Sequence, residues 1–230
     1  MLMSETTDRF VLVEDHGLVA EALSHTLSAA GHRVAMVDPD DATPDKVVAA
    51  AGSAGATVVV DLDLGRGADG RRRLGWTLIE PLVTAGHRVM VLTGDLDAAR
   101  WGRCVSLGAT GVVTKALPLQ DVVDLAIAAS RGEPVMSPAA RQEVLRSWDS
   151  HRSDRERLQA PLRRLTKREG QVLAHLVDGH SAATIAAMAT VSEATVRSQI
   201  RAILDKLGVG SQLQAVAAAR RAGWSGAPAA

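Results

Sequence analysis

Along the first half of the chain, short apolar runs alternate with amphipathic stretches. The runs are Phe10–Val13, Val34–Val37, Thr57–Val60, Val89–Leu92 and Gly111–Thr114. They are rich in valine and nearly continuous, which predicts strands buried on both faces. Between them, 17–30, 44–51, 77–85, 97–107 and 119–131 carry the apolar spacing of helices. Five strands alternating with five helices predict an α/β domain, a doubly wound five-stranded parallel sheet. In such sheets functional side chains gather beyond the carboxyl ends of the strands.

The rhythm breaks after residue 132. Residues 133–160 contain Pro134, Pro138 and a charged run from Asp149 to Arg157. They read as a linker with one helix, from about Ala139 to Trp148. From 161 to 230 the pattern is purely helical, so a small all-α domain is expected there. Thr166 with Glu169 forms a capping box for a helix ending near Gly179. Ser181, Ser192 and Ser211 each precede a helical pattern as N-caps. These helices should run to about Ala189, Leu207 and Ala222.

Composition adds three constraints. Aromatics are few, Phe10 and four tryptophans with no tyrosine, so the cores must be aliphatic. The net charge of zero is unevenly spread. Residues 1–133 hold 12 basic and 18 acidic side chains, a net −6, and 161–230 hold 9 and 4, a net +5. An acidic front suits a cation, and a basic tail suits phosphates. The single cysteine, Cys104, excludes an internal disulfide and a cysteine-rich zinc site. Residues 1–8 lack a signal-peptide pattern and no apolar run reaches membrane-spanning length, so a cytoplasmic protein without membrane attachment is expected.

The predicted strand ends carry the chemistry. Strand one ends in Glu14 and Asp15, strand three in Asp61, strand four in Thr93 and strand five in Lys115. A parallel sheet puts all of these on one edge. An acid at a strand end is often only a helix cap, but five such groups together point to a site. Three close carboxylates need a cation, and an all-oxygen set with room for water suits Mg²⁺. Asp61 would then be the nucleophile toward phosphorus. Glu14, Asp15, Asp61 and the backbone carbonyl of Asp63 would hold the metal. Lys115 and Thr93 would receive the phosphoryl oxygens. Gly65-Arg66-Gly67-Ala68-Asp69-Gly70 matches GxGxxG, but it follows the third strand and leads into an arginine run, so no nucleotide cofactor is expected.

Val11-Leu12-Val13-Glu14-Asp15-His16, Val60-Asp61-Leu62-Asp63-Leu64, Val91-Leu92-Thr93-Gly94 and Gly111-Val112-Val113-Thr114-Lys115 resemble the receiver domains of two-component response regulators. Intervals of 46, 32 and 22 residues from Asp15 through Asp61 and Thr93 to Lys115 fit that family. The resemblance implies a flavodoxin-like receiver over 1–132, phosphorylation of Asp61 by a sensor histidine kinase, and signalling through Thr93 and the last strand. Four features depart from the family pattern. Gly65 stands where proline is usual, and Val112 stands where a switching aromatic is usual. Pro118 comes later than expected, and the loop Gly65–Gly75 is long and basic.

In the helical half, Val196, Ile200, Ile203, Leu204 and Leu207 form one apolar stripe, with Ala194, Arg197, Ser198 and Arg201 on another face. Two short helices joined at Thr190-Val191 suggest a helix-turn-helix. Periodicity alone leaves an ordinary helical bundle equally open. The segments Leu165–Glu169, Ile185-Ala186, Val191–Arg197 and Leu204–Val209 resemble the LuxR-type DNA-binding domain. Joined to a receiver, this resembles a NarL/FixJ-type response regulator. The resemblance implies double-stranded DNA and a second copy of the chain as partners. Arg197, Ser198 and Arg201 would face bases, and Thr195, Gln199 and Lys206 would face phosphates. Ala183 stands where a polar residue is common. The expected function is a phosphorylation-controlled transcription regulator, not an enzyme. The alternative is an atypical receiver regulated by a ligand or by constitutive dimerisation.

Overall fold

The computed structural model describes residues 8–67 and 70–224. Residues 1–7, on which the signal-peptide reading rests, and Ala68 and Asp69 of the GxGxxG stretch lie outside the described residues.

Five parallel strands form the central sheet: β1 (Arg9–Val13), β2 (Arg33–Met36), β3 (Thr57–Asp61), β6 (Arg88–Thr93) and β7 (Gly111–Thr114), in the order β2-β1-β3-β6-β7. Helices α1 (Gly17–Ala29), α2 (Pro44–Ala51), α3 (Trp76–Thr84), α4 (Ala98–Ser106) and α5 (Leu119–Ser130) connect them. The valine runs are continuous because both faces of each strand are covered. In β1, Val11 and Val13 join the core that α2, α3 and α4 complete, while Phe10 and Leu12 join the core under α1 and α5. Val58 and Val60 of β3, and Val89 and Val91 of β6, follow the first pattern, while Val59, Met90 and Leu92 follow the second. That is the two-residue strand period with no polar side.

The expected long loop after β3 contains structure of its own. Asp63–Arg66 (β4) and Arg72–Leu74 (β5) pair as an antiparallel hairpin. Gly65 stands in it at φ +73°, a value that proline, locked near −65°, cannot adopt.

The linker helix is longer than its sequence suggested. Helix α6 runs from Pro138 to Arg163 instead of ending near Trp148. The charged run continues it because Arg and Glu are good helix formers. Arg152–Glu156 and Asp154–Arg157 also pair one turn apart. Contacts divide the chain into two units between Asp149 and Ser150, inside this helix.

In the second unit, α7 (Lys167–Val177), α8 (Ala182–Ala189), α9 (Glu193–Leu207) and α10 (Gln212–Arg221) surround one aliphatic core. The four caps fall where the sequence placed them. Thr166 and Glu169 make a reciprocal capping box, and Ser181, Ser192 and Ser211 accept from the N3 amide of their helices.

Candidate functional site

The register of the parallel strands brings the polar strand ends together. Asp61 sits opposite Leu92, and Thr93 opposite Thr114, while the Lys115 amide donates to the Thr93 carbonyl at 2.8 Å. Glu14, Asp61 and Thr93 are buried. Lys115 Nζ donates to Glu14 Oε1 at 2.6 Å and to Asp61 Oδ2 at 2.7 Å. Asp15, more exposed, and Glu14 are bridged by His16, whose Nδ1 lies 2.7 Å from Asp15 Oδ1 and 3.1 Å from Glu14 Oε1. Glu14, Asp15, His16 and Asp61 each place one donor atom within 4.8 Å of the others. His16 had no role in the sequence reading, although its place next to Asp15 was the available signal.

Burial pushes the Asp61 carboxyl up to about 6, reinforced by the charge of Glu14 and opposed by Lys115. Burial also works against the charge on Lys115, but its bonds to Asp61 and Glu14 outweigh this and hold it above its ordinary value. Glu14 Oε2 is buried and has no hydrogen-bond partner. An orphaned carboxylate oxygen beside two further carboxylates fits a small hard cation.

Asp63 is placed differently from the other acids. Its carboxylate is held by Arg72, Nε at 3.3 Å with a second contact through Nη2, and this pairing lowers its pKa. Its amide donates to Asp61 Oδ1 at 3.2 Å. The basic loop therefore engages this side chain and leaves the backbone of Asp63 as the group available to the site. Arg73 is anchored elsewhere, on the carbonyls of Pro39 (3.0 Å) and Asp40. At the other wall, Thr93 Oγ1 accepts from the Asp95 amide at 3.0 Å, and Val112 lies in the apolar core where an aromatic was the family expectation.

Gly75 was missed by sequence reasoning. It precedes α3 and its backbone packs against Asp61. A Cβ there would run into the Asp61 carbonyl oxygen and lie 2.7 Å from Val60 Cγ1.

The second unit carries the helix-turn-helix. Helices α8 and α9 meet at Thr190, which adopts φ +53° and ψ +47° at the end of α8. A β-branched residue in that region is strained, and it marks a turn fixed by its surroundings. Val196, Ile200 and Ile203 are buried, with Leu204 and Leu207 packed beside them. That fixes the outward face of α9, where Thr195, Arg197, Ser198 and Arg201 are exposed. Arg197 is held by Glu193 one turn back, at 3.0 and 2.7 Å. The Thr195 hydroxyl shares a 2.8 Å hydrogen bond with Ser192. Gln199 is only partly exposed, and its Oε1 is buried without a partner.

Lys206, expected to face a phosphate, is paired within the domain. Its ammonium donates to both oxygens of Glu169, at 2.8 and 2.6 Å, and is about two-thirds buried. Its charge therefore ties α9 to the capping box of α7. Burial alone would raise the Glu169 pKa, but Lys206 and Thr166 outweigh it and hold the carboxyl below 4.5. A depressed carboxyl contributes stability above its unfolded value and loses it as pH falls through the folded one. Lys206→Ala is expected to cost about 1–2 kcal/mol of folding stability, since it leaves a buried acceptor without its cation. The difference in Tm from the wild type should shrink below pH 4.5 as Glu169 protonates in both. Thermal melts across pH check this, and a Lys206→Ala variant as stable as the wild type would contradict it.

One family match falls within the second unit. Residues 163–219 match the family of bacterial regulatory proteins described as the luxR family. The transcriptional regulatory protein DesR of Bacillus subtilis is 24% identical over 152 residues, covering 66% of this chain and 69% of DesR. The response regulator protein VraR of Staphylococcus aureus is 30% identical over 129 residues, covering 56% of this chain and 58% of VraR, less than two thirds of its length. The crystal structure of full-length FixJ from B. japonicum aligns at 22% identity with a TM-score of 0.43, covering 95% of this chain and 98% of FixJ. Among the described residues no helix is long and apolar enough to cross a membrane. Residues 163–219 thus form a LuxR-type domain that contains the helix-turn-helix, and over part of its length the chain is similar to the transcriptional regulatory protein DesR and the response regulator protein VraR.

Proposed function

We propose that phosphorylation of Asp61 controls DNA binding by the C-terminal domain. The observation that carries this reading is Lys115, which bridges Glu14 and Asp61 across the carboxyl edge of the sheet. A lysine held there by two carboxylates is placed to receive a phosphoryl group on Asp61. Residues 1–132 act as the receiver, 133–160 as the connection, and 161–230 as the DNA-binding unit.

A carboxylate oxygen of Asp61 attacks phosphorus, and the bond from phosphorus to the donor's leaving group breaks. Above its pKa of about 6 the side chain is the anion this step needs. The new acyl phosphate draws Lys115 from Glu14 toward its oxygens. Thr93 already accepts from Asp95, so its hydroxyl proton is left for a phosphoryl oxygen. Mg²⁺, held by Glu14, Asp15, Asp61 and the carbonyl of Asp63, would neutralise charge on the transferred group. A sensor histidine kinase is the proposed phosphodonor. A second copy of the chain is the proposed partner on DNA, because a lone helix-turn-helix buries little surface and paired half-sites compensate.

Incubation with acetyl phosphate and Mg²⁺ is expected to add one phosphoryl mass to the wild type and none to Asp61→Asn. Labelling of Asp61→Asn at the wild-type level would remove the assignment.

A further inference from the structure

A second cluster of metal-ligating side chains lies in the C-terminal domain, apart from the acidic pocket. His175 stands in the last turn of α7, Asp178 follows as its C-cap, and Gly179 at φ +87° turns the chain back. The His180 amide closes that turn on the His175 carbonyl at 2.9 Å. The two imidazoles therefore meet edge to face, with centroids 5.4 Å apart. His175, Asp178 and His180 each bring one donor atom within 4.8 Å of the other two. Independently, Nδ1 of His175 and Nδ1 of His180 are buried and have no hydrogen-bond partner. Two unsatisfied ring nitrogens in one turn are unusual, because buried polar atoms nearly always find partners.

We propose that His175, Asp178 and His180 form a binding site for a borderline divalent transition metal of the Zn²⁺ class. Two imidazoles and one carboxylate are the donors such an ion prefers, whereas Mg²⁺ prefers the all-oxygen pocket. Three protein ligands leave a fourth position for water. Imidazole bonds of about 2.0–2.1 Å require the donor atoms to draw together by about 1.5 Å from the outer limit observed. Side-chain rotation can supply this, because Asp178 is exposed and both histidines are partly exposed. The carboxyl end of α7 also favours a cation through its helix dipole. Two neighbouring cations are engaged with other groups. Arg220 donates to the Val177 carbonyl at 3.0 Å, and Arg168 donates to Gln171 at 3.2 Å. The bound ion would clamp α7 to the connector that leads into α8, the first helix of the helix-turn-helix.

The test is titration of the full chain with Zn²⁺, and with Co²⁺ as a spectroscopic probe, under excess Mg²⁺ so that the oxygen pocket does not compete. Imidazole ¹⁵N resonances report which histidines respond. The expected result is one ion per chain, shifts at His175 and His180, and nitrogen-ligand visible bands with Co²⁺. His180→Gln should weaken binding at least about tenfold, in line with the loss of a ligand. Asp178→Asn, at an exposed position, should also weaken it and serves if His180→Gln does not fold. Unshifted His175 and His180 resonances, or equal Zn²⁺ affinity in the wild type and the folded variants, would overturn the proposal.

Discussion

Gly75→Ala is expected to disable the receiver more thoroughly than any single polar substitution around Asp61 that leaves Asp61 itself intact. The added methyl would occupy the place of the Asp61 carbonyl oxygen and crowd Val60. Both neighbours lie in β3, at the centre of a sheet with strands on either side. Neither can retreat without breaking parallel pairing to β1 or β6. Overpacking in a close-packed core costs about 1–3 kcal/mol, and a clash with backbone belongs at or above the top of that range. Chemical denaturation should therefore show a loss of about 3 kcal/mol or more. Acetyl phosphate labelling of the folded fraction should fall sharply, because Asp61 must move. Normal stability with normal labelling would mean that α3 does not seat against β3 as described.

Arg201→Ala is expected to erase much of the preference for a selected DNA site. Arg201 is exposed, lies opposite the buried stripe of α9, and has no ion pair among the described residues, whereas Arg197 is held by Glu193. A guanidinium bidentate to guanine in the major groove contributes on the order of 1–3 kcal/mol of discrimination. The duplex would be chosen by the wild type from random-sequence DNA. Arg201→Ala should then bind it roughly 10- to 100-fold more weakly, with a much smaller change on scrambled DNA. Equal losses on both duplexes would make Arg201 a phosphate contact. The same comparison on Arg197→Ala shows whether Glu193 releases its partner when DNA arrives.

Much of this was legible in the sequence, for physical reasons. Valine runs with no polar alternation can only be strands covered on both faces. Thr166, Ser181, Ser192 and Ser211 mark helix starts because their side chains satisfy amides that nothing else can reach. The strand-end set of Glu14, Asp15, Asp61, Thr93 and Lys115 converges because parallel strands bring like ends to one edge. What escaped depends either on contacts between residues distant in sequence or on a local balance of weak preferences. The hairpin of β4 and β5 reads as loop because glycine and arginine carry no strand pattern. Helix α6 passes through a charged run that resembles a solvated linker. Lys206 looks like an outward cation until α7 places Glu169 beneath it, 37 residues away. Gly75 shows no motif, and its role depends on how closely α3 approaches β3.

Control of DNA binding by phosphorylation of Asp61, as proposed, can be measured directly. Affinity for a wild-type-selected inverted-repeat duplex should be measured with and without beryllofluoride, a phosphoryl mimic, in the presence of Mg²⁺. Tighter binding by roughly tenfold to a hundredfold is expected in the wild type, because pairing of two chains makes the second half-site contact intramolecular. No response is expected in Asp61→Asn. An unchanged wild type, or an Asp61→Asn variant that responds equally, would contradict this control and point to a receiver controlled by a ligand or by constitutive dimerisation.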